Sequence, residues 1–180
     1  MTTSMNTLAD AQRDMRLGYL GGAPGVLASG IAWLVAAFIA MAMSPAAAVW
    51  GLFIGGMLIF PVGVVLARLL GRPGKHSRGN PLGPLAMEGT ILLILALPLA
   101  FVVSLYRIEW FFPAMLLVIG GRYLTFATLY GTRMYWALGG ILAFAGIVLV
   151  ETRMSPFVGA LTGGVIEVVF AAALFAARKK

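Results

Sequence analysis

The sequence predicts an all-α polytopic membrane protein, a bundle of six transmembrane helices with both termini cytoplasmic. Three observations predict it. Hydrophobic residues make up 61% of the 180-residue chain and charged residues only 11%, where a soluble domain carries about a quarter charged. Six segments are each apolar over the roughly 20 residues that a bilayer crossing needs. The basic residues also fall on one side of the alternation that six crossings impose.

The first span, Ala23–Met43, repeats alanine every four residues at Ala28, Ala32, Ala36 and Ala40. Small residues at that spacing let helices approach closely in lipid, where water does not drive them together. The stretch AMAMSPAAA (Ala40–Ala48) has spacing that a signal peptidase accepts. More membrane follows rather than an exported domain, so an uncleaved helix is expected. The second span, Ala46–Leu70, follows Ser44-Pro45, an N-cap with proline at the first helical position. Pro61 inside it, and Pro98 inside the third span, Leu85–Tyr106, should kink their helices. The fourth span, Phe111–Tyr130, contains Gly120-Gly121 and the fifth, Met134–Val150, contains Gly139-Gly140. The sixth, Pro156–Ala177, opens on Ser155-Pro156 and carries a G-x-x-x-G pattern at Gly159 and Gly163.

These spans make residues 17–177 one transmembrane domain with a basic loop at 71–84, between a cytoplasmic or interfacial segment at 1–16 and a basic tail at 178–180. The first segment suits either an amphipathic helix on the inner leaflet or a frayed tail. Arg13, Arg16, Arg68, Arg72, Lys75, Arg78, Arg133, Arg178, Lys179 and Lys180 lie on the side of the termini, and only Arg107 and Arg153 opposite. That asymmetry predicts cytoplasmic termini. It also accounts for the basic net charge without nucleic acid. The chain has no cysteine and one histidine, His76, so neither a metal centre nor a cofactor is expected.

Two charges fall deep within spans. Arg122 in LLVIGGRYLTF (Leu116–Phe126) and Glu167 each lie about eleven residues, or about 16 Å, from the start of an inward-running span. Equal depth and opposite sign predict a pair, offsetting at least roughly 2.5–3.5 kcal/mol of insertion cost for each charge. Around Glu167, Ala160, Gly163, Gly164 and Ala171 form a small face that must touch another helix. Beyond Arg122, Thr125, Thr128 and Thr132 form a hydroxyl ridge that either lines a wet cavity or bonds its own helix carbonyls. Arg122, Glu167, Thr125, Thr128 and Glu88, one turn into the third span, are the candidate ligand-binding residues. The pair serves either a site or the register of two helices.

The loop GRPGKHSRGNPLGP (Gly71–Pro84) fails the Walker pattern, because Gly71 and Gly74 are too close and His76 follows Lys75. Arg72, Lys75, His76 and Arg78 are candidates for an anionic headgroup site, against a plain positive-inside anchor that merely touches anionic lipid. Segments Gly55–Ala67 and Gly139–Val150 share a Gly-Gly-aliphatic pattern, short and compositionally biased enough for coincidence to be its first explanation. A true repeat of three spans each would be inverted, a common transporter plan.

The segments DAQRDMRLGYLGGAPGV, LFIGGMLIFP, GKHSRGNPL and EWFFPAMLLVIGGRYLTFATLYG resemble a family of small bacterial multi-pass membrane proteins of unknown function. The resemblance runs to about the fifth span. It implies a bacterial inner-membrane setting and no catalytic residues. The six-span layout is also similar to the substrate-binding membrane subunits of energy-coupling-factor vitamin transporters. That resemblance implies a partner subunit docked on Ala28, Ala32 and Ala36; a homo-oligomer through small-residue faces is the other partnership the sequence suggests.

Three functions follow. Binding or transport of a small anionic or zwitterionic molecule or lipid between the helices ranks first, and a non-catalytic scaffold or accessory subunit second. An enzyme acting on lipid at the cytoplasmic face, through Glu88 and His76, ranks third. No rhomboid-like Ser/His arrangement, Asp-rich metal box or cysteine supports the enzyme.

Overall fold

A computed structural model describes residues 7–177; residues 1–6 and the tail at 178–180 lie outside the described residues. The helices are α1 (Leu8–Tyr19), α2 (Ala23–Ala42), α3 (Pro45–Leu69), α4 (Gly83–Tyr106), α5 (Phe111–Tyr130), α6 (Met134–Glu151) and α7 (Pro156–Ala177). The described residues contain no strand. Six stretches are long and apolar enough to cross a membrane. This is the helical membrane architecture expected, and α2 to α7 fall within two residues of the predicted spans at each end. Ser44 caps α3 by accepting from the Ala47 N–H at 3.1 Å. Ser155 Oγ accepts from the Val158 N–H at the start of α7.

Helix pairing follows the small residues. α2 packs on α3 and on α7, while α5 packs on α6 and, less extensively, on α4. Gly120 and Gly139 show why α5 and α6 lie so close. A Cβ on Gly139 would stand 2.6 Å from the Gly120 carbonyl oxygen, so the two backbones touch. Ala28, Ala32 and Ala36 are buried, and Ala32 lies against Gly55 of α3. The alanine stripe, expected to dock a partner subunit, faces inward to a neighbouring helix of the same chain.

The centre of the bundle is filled by Trp33, Phe111, Phe112, Leu116, Tyr135, Leu138 and Leu142, all fully buried. α3 and α4 lie at the margin: 17% of their apolar windows is buried, against 44% for the window that includes α2. Their large exposed side chains, among them Met57, Phe60, Leu95 and Leu99, have hydrocarbon as their natural solvent.

α1 is a separate element. Leu20, Gly21 and Gly22 all take positive φ (56°, 62° and 83°), which ends α1 and turns the chain into α2. At 12 residues, α1 is too short to cross. It runs to Tyr19, past the expected limit at residue 16, and buries Ala11, Met15 and Gly18 against the end of the bundle. Protein covers this buried face, while Leu8 and Leu17 of α1 remain exposed.

Candidate functional site

Both intramembrane charges sit where helices from different parts of the chain meet. Glu167 on α7 is fully buried. It faces α2, where a Cβ on Gly30 would lie 3.2 Å from the Glu167 Cβ. The hydroxyls of Ser29 of α2 and Tyr123 of α5 face the carboxyl closely enough to stabilise its charge, but neither carboxyl oxygen closes a hydrogen bond of good geometry. The Trp33 Nε1 is buried and unpartnered as well.

Arg122 points elsewhere. Its guanidinium donates to Thr90 Oγ1 of α4 at 3.2 Å and lies 5.5 Å from the centre of the Phe126 ring. Its Nε is buried without an acceptor. The expected Arg122–Glu167 ion pair is therefore not formed, although the two charges still interact coulombically. Equal depth was a sound expectation: Gly159 touches Phe112 and Gly163 touches Leu116, so α5 and α7 run parallel with Arg122 about 3 Å further along than Glu167. The faces differ, however. Arg122 is turned toward α4 and Glu167 toward α2.

The hydroxyl ridge is not a continuous polar lining. Thr125 donates to the Arg122 carbonyl of its own helix at 2.8 Å, and Thr128 is exposed. Glu88 is exposed near the start of α4. Ser29, Thr90 and Tyr123 are the polar neighbours that the sequence pattern did not single out. Ser29 is the one hydroxyl in an Ala/Gly-rich stretch, and that is the only signal that pointed to it.

The loop candidates divide. Arg72, Lys75 and Arg78 are exposed, while His76 is half-buried with its Nδ1 3.0 Å from the Tyr19 hydroxyl. Asp14 of α1 holds the loop, accepting from the Ser77 N–H (3.0 Å), Ser77 Oγ (2.7 Å) and Asn80 Nδ2 (2.7 Å). Asn80 also donates to the Ala11 carbonyl and accepts from the Leu82 N–H. At the other side of α1, Gln12 donates to the Thr128 carbonyl and Arg16 to the Tyr130 carbonyl. No group of three or more metal-ligating side chains occurs among the described residues.

Six apolar helices around two deep, incompletely bonded charges define an integral, multi-pass membrane protein. The chain belongs to a family of unknown function, DUF7010, whose family model matches residues 8–177. The match includes α7, so Glu167 lies within the family's own span, beyond the fifth-span limit of the resemblance read from sequence. No curated protein and no solved structure matches the chain.

Proposed function

We propose that this protein binds a small zwitterionic molecule between its helices and passes it across the bilayer, with Glu167 receiving a cationic group or proton and Arg122 an anionic group. The observation that carries the reading is the incomplete bonding of both charges. The fully buried carboxyl faces the Ser29 and Tyr123 hydroxyls without closing a well-formed hydrogen bond to either, where buried polar groups normally close theirs. Charges inside a membrane-spanning bundle are costly to maintain and mark ligand paths. Helix pairing supports the same reading. Divided into α2–α4 and α5–α7, the first helix of each half packs on the third helix of the other. Glu167 lies in the α2–α7 seam and Arg122 in the α4–α5 seam, where transporters built from inverted halves hold their substrates. The basic asymmetry favours a cytoplasmic α1 end.

Native mass spectrometry of gently purified wild type, Glu167→Gln and Arg122→Gln tests the proposal. A small molecule carried by wild type and absent from both folded variants is the expected result. Three folded proteins with no bound small molecule would overturn it. An accessory-subunit role has one observation in its favour: Gly56, Gly121 and Gly140 are exposed with nothing within 4 Å of an added Cβ. A protein partner in place of a small molecule in the same spectra would select that role.

A further inference from the structure

The loop at 71–84 is a built structure, and its histidine is aimed. Three hydrogen bonds tie Asp14 to Ser77 and Asn80, the Gly74 N–H donates to the Gly18 carbonyl, and a Cβ on Gly18 would run into the Lys75 carbonyl. Tyr19 engages His76 at Nδ1. A neutral ring that accepts from Tyr19 carries its proton on Nε2, and an imidazolium carries one on each nitrogen. In these two states Nε2–H is a donor; the remaining tautomer, with the proton on Nδ1 and donated to Tyr19, would leave Nε2 an acceptor. That atom lies 3.0 Å from where a Gly83 Cβ would be, beside a depression lined by His76, Gly79, Asn80, Gly83, Pro84 and Met87.

We propose that this depression binds the phosphate of an anionic phospholipid, with His76 Nε2–H as its buried-side donor and Arg72, Lys75 and Arg78 supplying the surrounding positive field. Those three side chains are exposed. Asp14, the acid closest to the loop, is occupied by Ser77 and Asn80. The missing Cβ of Gly83 leaves room for a tetrahedral group beside His76 Nε2, and nothing lies within 4 Å of an added Cβ on Gly79. The depression continues into lipid-facing surface: Met87, Ile91 and Leu95 follow at four-residue spacing along α4, 63%, 49% and 64% exposed. Four-residue spacing puts them on one stripe of the helix, a track for an acyl chain. This continuity selects a phospholipid over a free anion, and basic pockets at helix ends are known hosts for acidic headgroups.

The test uses full-length protein in nanodiscs of equal phosphatidylglycerol and phosphatidylcholine, released into the gas phase for lipid-bound mass spectra. Wild type is expected to retain phosphatidylglycerol preferentially. His76→Leu removes the donor and should cut that preference roughly tenfold, the effect of losing one charge-assisted hydrogen bond. Arg78→Gln alters only an exposed side chain, so it keeps the test valid where His76→Leu unseats the loop; it should reduce the preference by a smaller factor. Equal retention of both lipids by wild type, or an undiminished preference in both variants, would overturn the proposal. Inorganic phosphate is added as a competitor. Displacement of the lipid by phosphate that also binds wild type alone would identify the free ion as the ligand, and overturn the lipid assignment.

Discussion

Gly139 and Gly140 are neighbours in one helix, and alanine at each should have opposite consequences. At Gly139 the added Cβ would stand 2.6 Å from the Gly120 carbonyl oxygen and 2.7 Å from Leu124 Cδ2. The leucine can rotate, but the carbonyl is part of the α5 backbone. Restoring an ordinary contact of 3.4 Å requires α5 and α6 to separate by about 0.8 Å. Overpacking of this kind costs roughly 1–3 kcal/mol. Scaled as for a chain of 150–250 residues, about 2 kcal/mol lowers Tm by about 4–8 °C. At Gly140 nothing lies within 4 Å, and alanine is the better helix former by about 0.5–1 kcal/mol. Its Tm is expected to stay level or rise slightly. Thermal unfolding in mild detergent, followed by tryptophan emission and by circular dichroism, measures both. A silent Gly139→Ala, or a Gly140→Ala as damaging as its neighbour, would refute the close approach of these two helices.

Three further outcomes are expected. Burial pushes the Asp14 carboxyl up, but hydrogen bonds from Asn80 and Ser77 outweigh it and hold the group below its ordinary 3.8. A carboxyl depressed in the folded state contributes stability above its unfolded pKa and loses it as pH falls through the folded value; protection of the Ser77 amide should therefore drop below about pH 4, and an Asp14→Asn protein showing the same pH profile would contradict this. Arg122→Leu should insert more favourably, by at least about 2.5 kcal/mol on translocon scales, because the change breaks no ion pair and removes only a coulombic interaction with Glu167; glycosylation-mapped insertion measures it, and poorer insertion would mean that Arg122 has a structural counter-charge after all. Gly18→Ala would drive a methyl group into the Lys75 carbonyl, so trypsin should cut faster at Arg13 and Arg16 while the bundle stays intact; unchanged cleavage would argue against the docked α1.

The spans were legible because length and apolarity decide them, and Ser44-Pro45 and Ser155-Pro156 marked two starts to within a residue. The site was legible only in part. Depth along a helix can be counted from a sequence, which is why Arg122 and Glu167 emerged at nearly one level. Direction around the helix depends on which neighbour packs where, and a two-residue difference in register turns a side chain to another seam. Thr125 shows the same limit: its hydroxyl pattern suited a wet lining or a bond to its own helix alike, and the structure gives the second, at the Arg122 carbonyl. The α1 clamp was invisible for another reason. Asp14 lies more than 60 residues from both Ser77 and Asn80 in sequence, and single polar contacts between a helix and a loop leave no periodic trace.

The docked α1 also has a consequence for how the chain is made. Gln12 ends on the Thr128 carbonyl, 116 residues downstream. At about 5–20 residues per second of synthesis, that acceptor emerges roughly 6–23 s after its donor. Arg16 and Tyr130 are separated by nearly as much. During that interval α1 has no seat on α5, and the three left-handed residues at 20–22 let it wait apart from α2. Translated ahead of every helix it leans on, α1 closes its contacts with α5 only after that helix has been made.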